Sequence, residues 1–349
     1  MDFKRLWTIF KARNYEFFRD RSAFGWNFVF PFLLVGGFSL IFGGEGKTEF
    51  RVGLFPVAEN AFHLKNAGLP PDFKNIKYVE FIPFETFEVG IEKLKHHKID
   101  FLLELGKPPH RYWLSSSSPK GYIVEKVFNA SFIPRQDRPP ALKQEIQGRE
   151  IRYVDWLFPG ILAMNMMFSA LWGVGYIVVR YRKNGVLKRL KATPLTPFEY
   201  LCAQTLSRIF LLMFTLIVVW VGCDLIFSFN VAGSYATLFF VFFLGGLSVT
   251  SLGLLIASRG TSEEFTSGIL NFITWPMMFL SEVWFSIEGA PGWLKLFAKI
   301  FPLTHMLTAA RQVMNDGAGL LSIIPEISIL ILMILLFLSL GAALFSWSK

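Results

Sequence analysis

Residues 180–201 read "RYRKNGVLKRLKATPLTPFEYL". Arg180, Arg182, Lys183, Lys188, Arg189 and Lys191 stand against one acid, Glu199. Long apolar runs flank the segment, Trp156 to Val179 before it and Cys202 to Phe227 after it. A bilayer-crossing helix needs about 20 such residues. The segment therefore reads as a short loop between two membrane spans, and its lysines and arginines put it in the cytoplasm.

The same pattern repeats outward from this loop. Ser22 to Gly44 has no charge and reads as the first span. Pro31 within it is tolerable if neighbouring helices satisfy the freed carbonyl. Tyr235 to Ser258, Phe265 to Phe285 and Ile327 to Trp347 complete a set of six. Six spans put the basic N-terminal segment, the 180–200 loop, Arg259 and Lys349 on one side. Both termini are then cytoplasmic. The opposite short link, "SFNVAGS" at 228–234, has no Lys or Arg. Composition agrees: 53% of the 349 residues are hydrophobic, 17% are charged, and the mean hydropathy is +0.44. A soluble domain carries about 25% charged residues. The first apolar run is too long for a signal peptide and lacks a small-residue cleavage site, so it is expected to remain as an anchor.

Residues 45–154 fall outside the cytoplasm on this topology. They read as an inserted α/β domain, with strands at 50–57, 76–84, 99–105 and 111–118 and helices at 62–69, 87–98 and 120–132. The Pro-rich "PRQDRPPAL" at 134–142 leads back to the membrane. The fold class expected is an α-helical polytopic membrane protein with this extracytoplasmic insert.

Little in the chain carries covalent chemistry. Gly46-Lys47-Thr48 imitates the end of a phosphate-binding loop, but Ile41 stands where the first glycine is needed. An extended segment follows instead of a helix. Cys202 and Cys223 lie roughly 30 Å apart along one helix and cannot pair. His96 and His97 are sequence neighbours and do not share a face. Arg208, near a span end, is expected to snorkel to the interface. Glu282 lies late in span five and is a candidate for lining the outer pathway.

Residues 1–21 place Phe3, Leu6, Trp7, Phe10, Phe17 and Phe18 on one stripe flanked by basic residues. That is an interfacial helix, serving as an anchor or in partner docking. In the 180–200 loop, Asn184-Gly185 ends one helix and Thr193-Pro194 stops the next. Between them, Leu187 and Leu190 share a face. A short apolar-faced helix with charged flanks suits docking into a groove of a cytosolic partner. A plain positive-inside loop explains the same charges.

"NGVLKRLKATPLTPFEYL" (184–201) and "WPMMFLSEVWFSIEGAPGWLKLFAKIFPLTHMLTAARQVMNDG" (275–317) resemble the permease subunits of ABC-2 type exporters. The N-terminal interfacial helix and the insert after span one match the subgroup with a large extracytoplasmic domain. One departure is Glu282, where the family usually carries a small residue.

The resemblance implies a half-transporter in the bacterial inner membrane. Two permease subunits, identical or different, pair in the bilayer. Each docks a cytosolic ATPase, which binds ATP and magnesium. The coupling contacts carry over to Gly185, Leu187, Leu190, Thr193 and Pro194, with Lys188 and Arg189 between them. The pathway would run between subunits, lined by Met166, Met167, Met277, Met278 and Phe279. Such a lining suits lipid-like, amphipathic or drug-like substrates, and core packing explains the same residues. Residues 289–317, too short and charged for a span, read as a re-entrant segment over the outer mouth. Pro302, Thr304, His305 and Arg311 are its candidate gate elements, and a structural role accounts for His305 as well. No cofactor is expected on this chain, and no nucleic acid. A periplasmic adaptor is a further candidate partner. The alternative reading is a scaffold or channel-like protein whose external domain binds a ligand or adaptor. An enzyme would need clustered catalytic groups at membrane depth, and a channel a polar pore ring; the sequence offers neither.

Overall fold

The computed structural model describes residues 3–42, 49–57, 69–106, 109–133, 152–260 and 262–346. The readings at 43–48, 58–68 and 134–142, and Trp347, lie outside these residues. The chain forms two units, Gly44–Gly148 and the remainder.

The remainder is helical. Helix α1 (Phe3–Arg19) is followed by α2 (Arg21–Phe42). Helix α6 (Tyr153–Ala170) continues through a π-helical stretch, Leu171–Tyr176, into α7 (Ile177–Lys183). Then come the short α8 (Val186–Lys191), α9 (Pro197–Phe227), α10 (Tyr235–Ala257), α11 (Glu263–Leu280), α12 (Gly292–Ala298), α13 (Pro302–Asp316) and α14 (Ile324–Leu344). Among the described residues, five helical stretches are long and apolar enough to cross a membrane: Phe24–Ile41, Tyr153–Lys183, Pro197–Phe227, Tyr235–Ala257 and Leu320–Leu344. This is a helical polytopic membrane protein.

Helix α11 is not among the five. It is 18 residues long, opens with Glu263 and Glu264, and stops at Leu280, five residues before the end expected for span five. The backbone turns at Glu282, which takes φ +61°. The 289–317 segment is two helices, α12 and α13, rather than one. Helix α13 is amphipathic and buries Leu303, Met306, Leu307, Ala310 and Val313 against the bundle.

Helix α10 is the hub and packs against α14, α13, α9 and the α6 π-helical stretch. Small residues permit the close approaches, as expected where apolar lipid supplies no drive for helix association. At Gly175 in the π-helical stretch, an added Cβ would stand 3.3 Å from the Gly253 oxygen of α10.

The other unit is a four-stranded sheet in the order β2-β1-β3-β4. Its strands are β1 (Phe50–Phe55), β2 (Val79–Pro83), β3 (Phe101–Glu104) and β4 (Tyr112–Leu114). Strand β1 runs parallel to both β2 and β3, and β4 is antiparallel. Alternation builds two cores. Val52, Leu54, Phe101 and Leu103 pack with Phe73 of α3 (Pro71–Lys74) and Phe128 of α5 (Pro119–Ser131). Phe55 and Leu102 pack on the other face with Leu94 of α4 (Phe87–Lys95).

Candidate functional site

Gly185 makes the turn that starts α8. It sits at φ +70° with open space around it, so its need is conformational and not steric. Helix α8 follows for six residues. Thr193 and Pro194 are exposed beyond its end. Thr196 then opens α9 with a capping box: its hydroxyl accepts from Glu199 N at 3.2 Å, and the Glu199 carboxylate accepts from Thr196 N at 3.1 Å. The sequence carries this signal as Thr-x-x-Glu, which charge and span counting alone pass over.

The leucines of α8 do not point outward. Leu187 is fully buried among Val178, Tyr200, Leu254 and Ala257, and Leu190 packs at the edge of the same cluster. Apolar docking through this face is therefore not the arrangement found. The exposed face carries Lys188, Arg189 and Lys191. The hydrophobic effect seats the helix on its own bundle and leaves its cations free.

The base of the loop is wired to three other elements. Arg182 donates to Ala257 O at 2.9 Å, to Ser258 O at 3.0 Å, to Ser346 O at 2.9 Å and to Gly260 O. A helix C-terminus leaves such carbonyls without intrahelical partners, and a fork of donors satisfies them. Lys183 pairs with Glu263 of α11 at 3.3 Å, and the Tyr176 hydroxyl donates to that carboxylate at 2.6 Å. Arg5 of α1 donates to Pro194 O.

A second cluster joins residues singled out separately. Arg311 donates through Nη2 to Glu282 O at 2.6 Å and through Nε to Trp156 O at 3.3 Å. Its Nη1 lies 3.6 Å from the Glu282 carboxylate, and its guanidinium stacks 3.8 Å over the Trp156 ring. Burial lowers the Arg311 pKa to about 10, while the Glu282 carboxylate acts to raise it. Glu282 Oε1 accepts from Ile287 N at 2.8 Å. These bonds hold a non-glycine residue in the left-handed region, where it is uncommon.

Thr304 donates to Ala298 O at 2.6 Å and meets the Ser281 hydroxyl at 2.9 Å. His305 Nε2 lies 2.8 Å from Lys299 O. Pro302 is the first residue of α13. These groups fasten the α12–α13 link to the end of α11. Met166, Met167, Met277 and Met278 are buried in the helical core, while Phe279 is 42% exposed.

A family profile described as "ABC-2 family transporter protein" matches residues 21–343. The chain belongs to the ABC-2 transporter family.

It is 26% identical over 169 residues to "Probable multidrug ABC transporter permease YbhR" of Escherichia coli K12, covering 48% of this chain and 46% of that protein. "Inner membrane transport permease YhhJ" of the same organism is 24% identical over 221 residues, covering 59% and 57%. "Daunorubicin resistance ABC transporter permease protein DrrB1" of Streptomyces coeruleorubidus is 22% identical over 170 residues, covering 48% and 59%. The chain thus spans about half the length of the curated relatives it matches.

Two features of this ABC-2 protein escaped the sequence reading. Helix α1 is pinned by Arg13, which donates to Gln204 Oε1 at 2.8 Å, to the Tyr181 hydroxyl at 2.5 Å and to Gly173 O at 3.2 Å. Arg208 does not snorkel. It is 7% exposed and turned inward, with its guanidinium against Gly173 of the π-helical stretch; a Cβ there would fall 1.9 Å from Cζ. The Arg208 placement depends on one glycine, whose lack of a side chain and π-helical setting neither spacing nor charge counting reveals.

Proposed function

We propose that the chain is the membrane permease subunit of an ATP-driven ABC exporter in the bacterial inner membrane. It works as a pair of permeases with a separate cytosolic ATPase, which holds ATP and magnesium. Helix α8 receives the ATPase stroke, and its exposed Lys188 and Arg189 meet acidic groups on that partner. The observation that carries this reading is the seating of α8. Leu187 locks it into the bundle, and Arg182 and Lys183 tie its base to α10, α11 and the C-terminal segment. A displacement of α8 therefore moves spans rather than a slack loop.

Counting α11 as a sixth crossing places α1, α8 and the C-terminus on the cytoplasmic side, in keeping with their positive charge. The sheet unit is then extracytoplasmic, where it is available to a periplasmic adaptor. The Glu282–Arg311 cluster closes the outer end, and α12 and α13 form the cap over it. The substrate is lipid-like, amphipathic or drug-like, in line with the multidrug and daunorubicin-resistance names of two relatives. Co-expression with the cognate ATPase and capture on a tagged permease in detergent tests the pairing. A stable complex is the expected result; the permease recovered without any nucleotide-binding subunit contradicts it.

A further inference from the structure

A cavity of about 650 Å³ opens between α1, α2, the π-helical end of α6, and α9. That volume lies within the range of small-molecule sites, roughly 300–1,000 Å³. Its wall is aromatic, with Trp26, Phe30, Phe168 and Trp172, and its inner side is polar, with Asn165, Ser169 and Arg208. Arg180 and Asp20 stand at the rim, both exposed.

Arg208 is the feature that needs an explanation. It is the twelfth residue of α9, which begins at Pro197, so it lies roughly 16 Å along the helix from its cytoplasmic end. A buried charge is costly and is normally paired. Among the described residues Arg208 donates to the neutral Ser169 hydroxyl, at 2.6 Å, and its Nε has no partner. Among the described residues no carboxylate lies within ion-pair distance of it. Its near charged neighbour is Arg13, of the same sign and already engaged with Glu16 at 2.5 Å. The positive charge thus has no ion-pair partner among the described residues, with Asp20 at the rim of the same cavity and a largely aromatic wall beside it.

We propose that this cavity binds a phospholipid of net negative charge, its anionic headgroup against Arg208 and its chains along Trp26, Phe30, Phe168 and Trp172. The site deepens the reading of this chain as a permease for amphiphiles and rests on it. Charge complementarity selects the occupant: an apolar guest brings no counter-charge, and a zwitterionic one brings its own cation beside its phosphate. Ser169 and the Gly173 backbone fix the guanidinium in place, so the site is largely organised before the lipid arrives.

The test uses the full-length permease, delipidated in detergent, with no ATPase present. Its outcome is therefore independent of the coupling reading. Phosphatidylglycerol and phosphatidylcholine with the same chains are titrated and binding is followed by native mass spectrometry. Phosphatidylglycerol is expected to bind about tenfold tighter, because the choline of phosphatidylcholine brings a like charge to a site that already holds Arg208. Arg208→Gln is expected to abolish the preference, and Arg208→Lys to retain part of it. Equal binding of the two lipids by the wild type, or an unchanged preference in Arg208→Gln, overturns the proposal. So does glycerol phosphate binding as tightly as the lipid, which would make the site one for a free anion. If Arg208→Gln does not fold, phosphatidylglycerol with brominated chains supplies a second readout. It should quench wild-type fluorescence more than that of Trp172→Phe; equal quenching of the two contradicts the placement.

Discussion

The Nη2 of Arg182 donates to the carbonyl oxygen of Ser258 across 3.0 Å, joining the root of α8 to the C-terminal end of α10. The same guanidinium reaches Ala257, Gly260 and Ser346. An ammonium group cannot present this planar fork. Arg182→Lys is therefore predicted to keep the ATPase bound but to lose most transport, with stability lower by about 2 kcal/mol. Thermal unfolding beside substrate efflux checks this; efflux at the wild-type rate would remove Arg182 from the coupling path.

Leu187 and Leu190 separate seating from docking. Leu187 is fully buried, so Leu187→Ala leaves a cavity and is predicted to cost about 2–5 kcal/mol. Leu190 is half-buried, and Leu190→Ala should cost less than half as much. Chemical unfolding of both variants in the same detergent gives the comparison. Equal losses would mean that α8 is not held by Leu187.

Gly185 holds φ +70°, and nothing lies within 4 Å of where an added Cβ would stand. Gly185→Ala meets no clash and carries only the left-handed backbone penalty, about 1–2 kcal/mol. Gly185→Asn is predicted to recover much of it, since asparagine tolerates that conformation better. Proteolysis rates of the 184–196 loop report the difference. Identical protection in both variants would argue that the turn relaxes elsewhere.

At the α11 end, Arg311 has three backbone and ring contacts besides the carboxylate of Glu282. Arg311→Ala strands polar groups and is predicted to lower stability by about 3 kcal/mol. Glu282→Gln keeps an acceptor for Ile287 N and should cost under about 1 kcal/mol. Its larger effect is predicted on transport, through a looser outer closure. Unchanged transport by Glu282→Gln at normal expression would leave Glu282 a purely structural turn residue.

The membrane plan was legible because it rests on long runs. Five apolar stretches and a basic loop survive errors of a few residues at each end. The strand at 50–57 was legible for a related reason: Val52 and Leu54 alternate with residues of the opposite face. Span five was the weak point. Glu263 and Glu264 shorten its apolar core, and the turn at Glu282 depends on Arg311, 29 positions away, which no local pattern records. Leu187 was assigned to the right helix and given an outward role. Periodicity identifies an apolar face but not what covers it. Arg208 was misread on similar grounds, since its inward course requires a glycine on another helix.

The central claim, that α8 is the ATPase contact, is tested most directly by ATP hydrolysis in the reconstituted permease–ATPase complex with Lys188→Glu and Arg189→Glu combined. Both residues are exposed, so the doubly reversed chain is predicted to fold and unfold as the wild type does. Capture of the ATPase and permease-dependent ATP hydrolysis should both fall by at least about tenfold, consistent with charge reversal across an interface. Wild-type capture together with wild-type hydrolysis would contradict the account and place the ATPase contact elsewhere on the chain.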